Sequence, residues 1–291
     1  MATISGYRGS SSNQASAYKK QGHDDEQIFS HLIGGTVKKG EHTGKTGVIG
    51  PDGLTYSVKG GQKKWQIFLY AYERIKSDQD FHKIAMLGQS LIGSLESFPK
   101  GYDDYARDKD SCLAIIAEHS RRNKLVKAAK DLDLLKSLIS EDNYYFSAKL
   151  KLLQSNKKLC DLLQDKDHLK FFLDKAIFNL EEVDRIAIKN GPEFIIFDKS
   201  DALNILTQGL TVKLSASGNR KSDLNVDGQK IIMCHTGNVA ELEVRNDSDK
   251  HFRQLRFNMI KAKALALLLE KSTVVGTPYP FVILRQHTQA P

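Results

Sequence analysis

Between about residue 80 and residue 182, apolar side chains recur at threes and fours, while the chain on either side of that stretch carries β-like patterns. The segment LVKAAKDLDLLKSLI (125–139) is typical, and further helices are expected at 144–163 and 167–180. Ahead of it, KTGVIGPDGLTYSVK (45–59) reads as a hairpin. Its turn is Pro51-Asp52-Gly53, with proline suited to the first central position and glycine tolerating positive φ. Beyond Val183, RIAIKNGPEFIIFD (185–198) reads as a hairpin around Asn190-Gly191. LTVKL, KIIMCHTG, VAELEVRND and FVILR follow as short strands, and FRQLRFNMIKAKALALLLEK (252–271) reads as one helix. A chain ordered in this way fits a mixed α/β (α+β) enzyme and fits a purely helical adaptor poorly.

Four segments are expected: a polar N-terminal arm at 1–22, a core at 23–100, a helical insertion at 101–182 and a C-terminal α/β region at 183–291. In the core, DDEQIFSHLIGG (24–35) reads as a short helix. Asp24 or Asp25 caps it, Ile28, Phe29, Leu32 and Ile33 form its apolar face, and Gly34-Gly35 ends it. KKWQIFLYAYERI (63–75) is too long and too uniformly apolar for an ordinary strand, which predicts a buried helix carrying Glu73.

No apolar run is long enough to cross a bilayer, and the first twenty residues lack the apolar core of a secretory signal. Cys112, Cys160 and Cys234 are far apart and unpatterned, which suits a reducing, cytoplasmic setting. The net charge of +8 allows a polyanionic partner without requiring one. The histidines show no metal-ligand spacing, and GEHTGKTG is one residue short of a phosphate-binding Walker loop, so no nucleotide cofactor is expected.

The chemistry concentrates at the second strand of the first hairpin. Alternation puts Thr55, Ser57 and Lys59 on one face and Leu54, Tyr56 and Val58 on the other. A hydroxyl and an ammonium therefore project together. Phosphodiester hydrolysis needs such an ammonium to position water and offset charge on the phosphate, beside carboxylates that hold Mg²⁺.

Ser57-Val58-Lys59, with Glu73 in the following element, resembles the PD-(D/E)XK nuclease superfamily. The likeness is to the restriction-endonuclease branch with Ser-x-Lys on the strand and the glutamate on the next helix. It is carried by residues 24–75, with looser echoes toward the C-terminus. The resemblance implies a PD-(D/E)XK core and a Mg²⁺-dependent, sequence-specific endonuclease of the type II restriction class. It also implies double-stranded DNA as substrate, and a homodimer if the target is palindromic. Lys59 would position the attacking water, Glu73 and a carboxylate at position 47 would hold Mg²⁺, and Glu26 would support them. Ser57 would stand where the displaced carboxylate belongs.

One position departs from the pattern. The family's first-strand aspartate falls at Gly47, and glycine offers a metal no side chain. Either Gly47 replaces an aspartate, with KTDVI the working form, or Glu41 or Asp52 serves as metal ligand instead, or the likeness does not extend to function. Turn chemistry explains Asp52 better than catalysis does. For DNA, Ser217, Asn219, Arg220 and Lys221 in SASGNRKSD, with Arg245, Asn246, Arg253 and Arg256, make a plausible reading and phosphate-holding surface. The alternatives are a catalytically silent DNA-binding protein on the same scaffold, and a structural protein whose basic charge is incidental.

Overall fold

The computed structural model describes residues 12–38, 45–61, 63–84, 86–123, 132–216, 224, 226–272 and 281–285. They form a mixed α/β architecture with ten α-helices and two sheets among the described residues. The first sheet contains β1 (Thr36–Val37), β2 (Val48–Ile49), β3 (Thr55–Lys59), β5 (Arg185–Asn190), β6 (Glu193–Asp198) and β11 (Phe281–Arg285), in that spatial order. Its pairs are antiparallel except β3 with β5, which run parallel. A parallel neighbour requires a long crossover, and the helical middle of the chain supplies it.

The second sheet is antiparallel, ordered β4 (Lys64–Ala71), β10 (Gln254–Ile260), β9 (Asn238–Arg245), β8 (Lys230–Cys234) and β7 (Thr211–Leu214). Both sheets draw strands from the two ends of the sequence, so the C-terminal region completes the core begun by residues 36–71. Between them in sequence run α2 (Tyr72–Ser77), α3 (Gln79–Lys83), α4 (Leu87–Glu96), α5 (Tyr102–Asn123), α6 (Leu132–Leu138), α7 (Tyr144–Gln164) and α8 (Lys166–Leu173). A π-helical turn at Asp174–Phe178 and a 3-10 turn at Leu180–Glu182 follow.

Three expectations are corrected here. Residues 63–71 lead into and form strand β4, and the helix begins only at Tyr72. A bulge explains the misleading pattern. Phe257 faces Phe68 and Asn258 faces Gln66, so Ile67 is an extra residue and two consecutive side chains, Ile67 and Phe68, are buried. In 252–271 the first part is strand β10 and the helix, α10, is Lys261–Ser272. The first helix, α1, runs Ser12–Ile33, so part of the expected arm is helical and Asp24 and Asp25 lie inside the helix rather than capping it. Its end is as expected: Gly34 adopts φ +67° and Gly35 N–H donates to Ser30 O at 2.8 Å.

The β5–β6 hairpin turns at Gly191, φ +62°, and the β2–β3 hairpin at Gly53, φ +80°. Alternation along the first sheet divides its side chains between two cores. Tyr56, Ala187, Phe194 and Ile196 pack against α1 through Phe29, whose ring centre is 5.2 Å from that of Tyr56. Ile186, Ile188, Ile195 and Phe197 join the main core with α7, α8 and the second sheet. Full burial of a side chain such as Phe29 contributes about 1.5–3 kcal/mol, which fixes α1 on the sheet.

Candidate functional site

α1, the link into β2, and β3 bring Glu26, Gly47, Ser57 and Lys59 together. Gly47 joins the hairpin through its N–H, which donates to Tyr56 O at 2.9 Å, while its carbonyl accepts from Lys38 N–H at 3.0 Å. A β-carbon placed on Gly47 would stand 2.7 Å from Glu26 Oε1, the end of a flexible side chain. Glu26 otherwise contacts His23, Oε2 to Nδ1 3.2 Å. At the end of β3, burial lowers the Lys59 ammonium and the charge of Glu26 opposes that, leaving it at about 8. Ser57, 1% exposed, has no hydrogen-bond partner for its Oγ among the described residues.

Two further residues complete this neighbourhood, and the sequence reading missed both. Lys45 points inward and its Nζ donates to Ile67 O, at the β4 bulge. Burial pushes its ammonium down to about 7, helped by Lys59, Arg74 and Lys175 and opposed by Glu182. Glu182 in turn grips the link before Gly47. Its Oε1 accepts from Lys45 N–H at 2.6 Å and Thr46 N–H at 3.0 Å, and its Oε2 from Asn179 Nδ2 at 2.6 Å. Asn179 and Leu180 hold φ of +51° and +56° to aim it. The GKTG run contained the first residue and the acidic stretch at the helix-to-strand change the second, but their pairing spans 137 residues, beyond any local pattern.

The other expected site residues lie elsewhere. Glu73 is exposed in the first turn of α2, downstream of the second sheet, and its charge bears on Tyr72. Asp52 is exposed in the β2–β3 turn, where Oδ1 accepts from Leu54 N–H at 3.1 Å, a turn role. Glu41 falls outside the described residues.

Of the expected DNA surface, Ser217, Asn219, Arg220 and Lys221 are outside the described residues. Arg245, Asn246, Arg253 and Arg256 gather on β9, β10 and their connection, with Asn246 half-buried. Arg245 is paired with Asp247 at 2.8 Å and reaches His251, and Arg253 lies 4.4 Å over the Tyr72 ring. Arg256 pairs with Glu243, inside a charged ladder that also holds Lys230, Glu241 and Lys64.

A Mg²⁺ ion asks for several oxygen ligands. Here Glu26 bears on Lys59, Gly47 contributes no oxygen from its side chain, and Glu182 is committed to N–H donors. Among the described residues no three of His, Cys, Asp and Glu form a group suited to a metal ion. With glycine at 47 the described residues do not fit Mg²⁺. Compared with family models, curated proteins and solved structures, the chain matches none of them. No helix among the described residues is long and apolar enough to cross a membrane.

Proposed function

We propose that this chain is a double-stranded DNA endonuclease of the type II restriction class, on a PD-(D/E)XK core, whose Mg²⁺ site is opened by glycine at position 47. One observation carries the reading: the β-carbon that Gly47 lacks would lie against the Glu26 carboxylate, whose charge acts on Lys59. An aspartate there would bring a second carboxylate to Glu26 and Lys59, beside the buried hydroxyl of Ser57. Three neighbouring segments, α1, the link into β2 and β3, thus supply residue types that phosphodiester hydrolysis needs. The basic balance of +8 supports duplex DNA as partner. A homodimer would match a palindromic target.

Cleavage of bacteriophage DNA with Mg²⁺, run side by side for this chain and Gly47→Asp, tests the reading. Discrete fragments from the aspartate form, with few or none from this chain, support it. Silence from both, with DNA binding that weakens steeply with salt, favours a second reading: a DNA-binding protein that does not cut. The incomplete carboxylate set supports that alternative.

A further inference from the structure

Lys45 has no part in the proposed hydrolysis, yet the surroundings of its ammonium are built rather than incidental. It enters from the link before β2 and meets Ile67 O, a carbonyl at the β4 bulge. Among the described residues neither Lys45 nor Lys59 has a carboxylate in ion-pair contact. The nearby acids are engaged: Glu26, whose charge acts on Lys59, with His23 at 3.2 Å, Glu182 with backbone N–H groups, Asp78 and Asp80 with Lys175 at 3.2 and 2.7 Å. Arg74 lies with its guanidinium carbon 3.9 Å from the Tyr70 ring centre, and Lys45 Nζ lies 6.0 Å from the same centre. Tyr70 is 2% exposed and its hydroxyl has no partner among the described residues, as with Ser57 Oγ on the Lys59 face of β3. Two ammonium groups without a carboxylate in contact, near buried hydroxyls without a partner among the described residues, make a donor set that an anion would satisfy.

We propose that Lys45, Lys59 and Arg74 form a binding site for a phosphate group that requires no metal ion, with the Tyr70 and Ser57 hydroxyls as further donors. The site deepens the nuclease reading and rests on it for the source of the phosphate, a phosphodiester of duplex DNA; inorganic phosphate is the other source of the same chemistry. A tetrahedral oxyanion accepts from several donors at once, and its charge offsets the repulsion between Lys45 and Lys59.

Sulfate is the probe. Thermal melting of the full chain is followed in sodium sulfate and in sodium chloride at equal ionic strength and neutral pH. The expected result is a sulfate-specific rise of about 3 °C for a concentration several times the dissociation constant. Lys45→Met removes one of two repelling ammonium groups along with its hydrogen bond to Ile67 O, so it should melt close to the parent in chloride and lose the sulfate increment. Inorganic phosphate broadened in ³¹P spectra by the unaltered chain provides a second reading that needs no variant. Equal melting in sulfate and chloride, or an increment that survives Lys45→Met, would overturn the proposal. A short duplex that displaces sulfate identifies DNA as the source; retention of sulfate against the duplex identifies free phosphate. Cleavage by the Gly47→Asp form is a separate readout, so either idea can fail while the other stands.

Discussion

Lys189 Nζ lies 2.6 Å from Asp25 Oδ1, an ion pair that fastens β5 to α1 one residue away from Glu26. Asp25 is 2% exposed, and its other oxygen faces Gly60, where a β-carbon would fall 1.8 Å away. The end of β3 can therefore approach α1 only with glycine at position 60. This contact sets Glu26 against Gly47 and Lys59.

Gly60→Ala should cost about 1–3 kcal/mol, as overpacking against a buried carboxylate does. Asp25→Ala should cost about 3 kcal/mol by leaving Lys189 unpaired, reduced to the extent that Lys189 reaches water. Because both changes act on the same contact, the double variant should lose less than the sum, by roughly 0.5 kcal/mol or more. Urea denaturation of the three variants measures this, and strict additivity would dissociate Gly60 from Asp25.

Glu182→Ala frees the N–H groups of Lys45 and Thr46 and should cost about 2 kcal/mol. The native carboxyl is also an acid sensor. Burial raises its pKa, but the hydrogen bonds from Thr46, Asn179 and Lys45 outweigh that and hold it below the ordinary glutamate value. A depressed folded-state pKa contributes stability that is present above the unfolded value and lost as pH falls through the folded one. The stability difference between the parent and Glu182→Ala should therefore shrink below pH 4.5 and not between pH 6 and 8. Denaturation curves across that range decide it.

The ladder on the second sheet should show the same sign more strongly. Burial pushes Glu241 up, but the hydrogen bond and charge of Lys64 and the charge of Lys230 hold it down to about 2. Its contribution is complete above pH 4.5 and lost as pH falls toward 2. Glu241→Gln should lower stability at neutral pH by about 1–2 kcal/mol and converge with the parent near pH 2. Arg256→Ala, which breaks the pair with Glu243, should lower stability more than DNA affinity. A large affinity loss without destabilisation would return Arg256 to the DNA surface.

The parts of the fold legible in the sequence were those set by local chemistry. Pro51-Asp52-Gly53 and Asn190-Gly191 dictate their turns, and Ser57-x-Lys59 follows from the two-residue period of a strand. What misled was irregularity imposed from a distance. The bulge opposite Phe257 and Asn258 buries Ile67 and Phe68 in succession and erases the alternation of β4, so the strand resembles a buried helix. β10 runs into α10 with no turn residue between Ile260 and Lys261, so two elements read as one. Within the site, the meeting of Gly47, Glu26 and Lys59 fits the local order of elements. Glu182 and the Asp25–Lys189 pair depend on contacts that only the folded sheet creates.

Glu73 and Glu26 can be separated by kinetics in the Gly47→Asp background. Glu26 bears on Lys59, whereas Glu73 is exposed on α2 and bears on Tyr72. Glu26→Gln should lower cleavage by about 10²-fold or more, as loss of a charge-stabilising group does, and Glu73→Gln should stay within about twofold. The reverse order would mean that α2 swings Glu73 into the site when DNA binds.

The most direct measurement is calorimetric titration of Mg²⁺ into this chain, Gly47→Asp, and Gly47→Asp with Glu26→Gln. If position 47 and Glu26 share one site, Mg²⁺ binding should be weak or unmeasurable in this chain, clear in Gly47→Asp, and weakened by about tenfold or more when Glu26 is also neutralised. Identical titrations for all three proteins would contradict the shared site, and with it the account of Gly47 as the missing half of a metal centre.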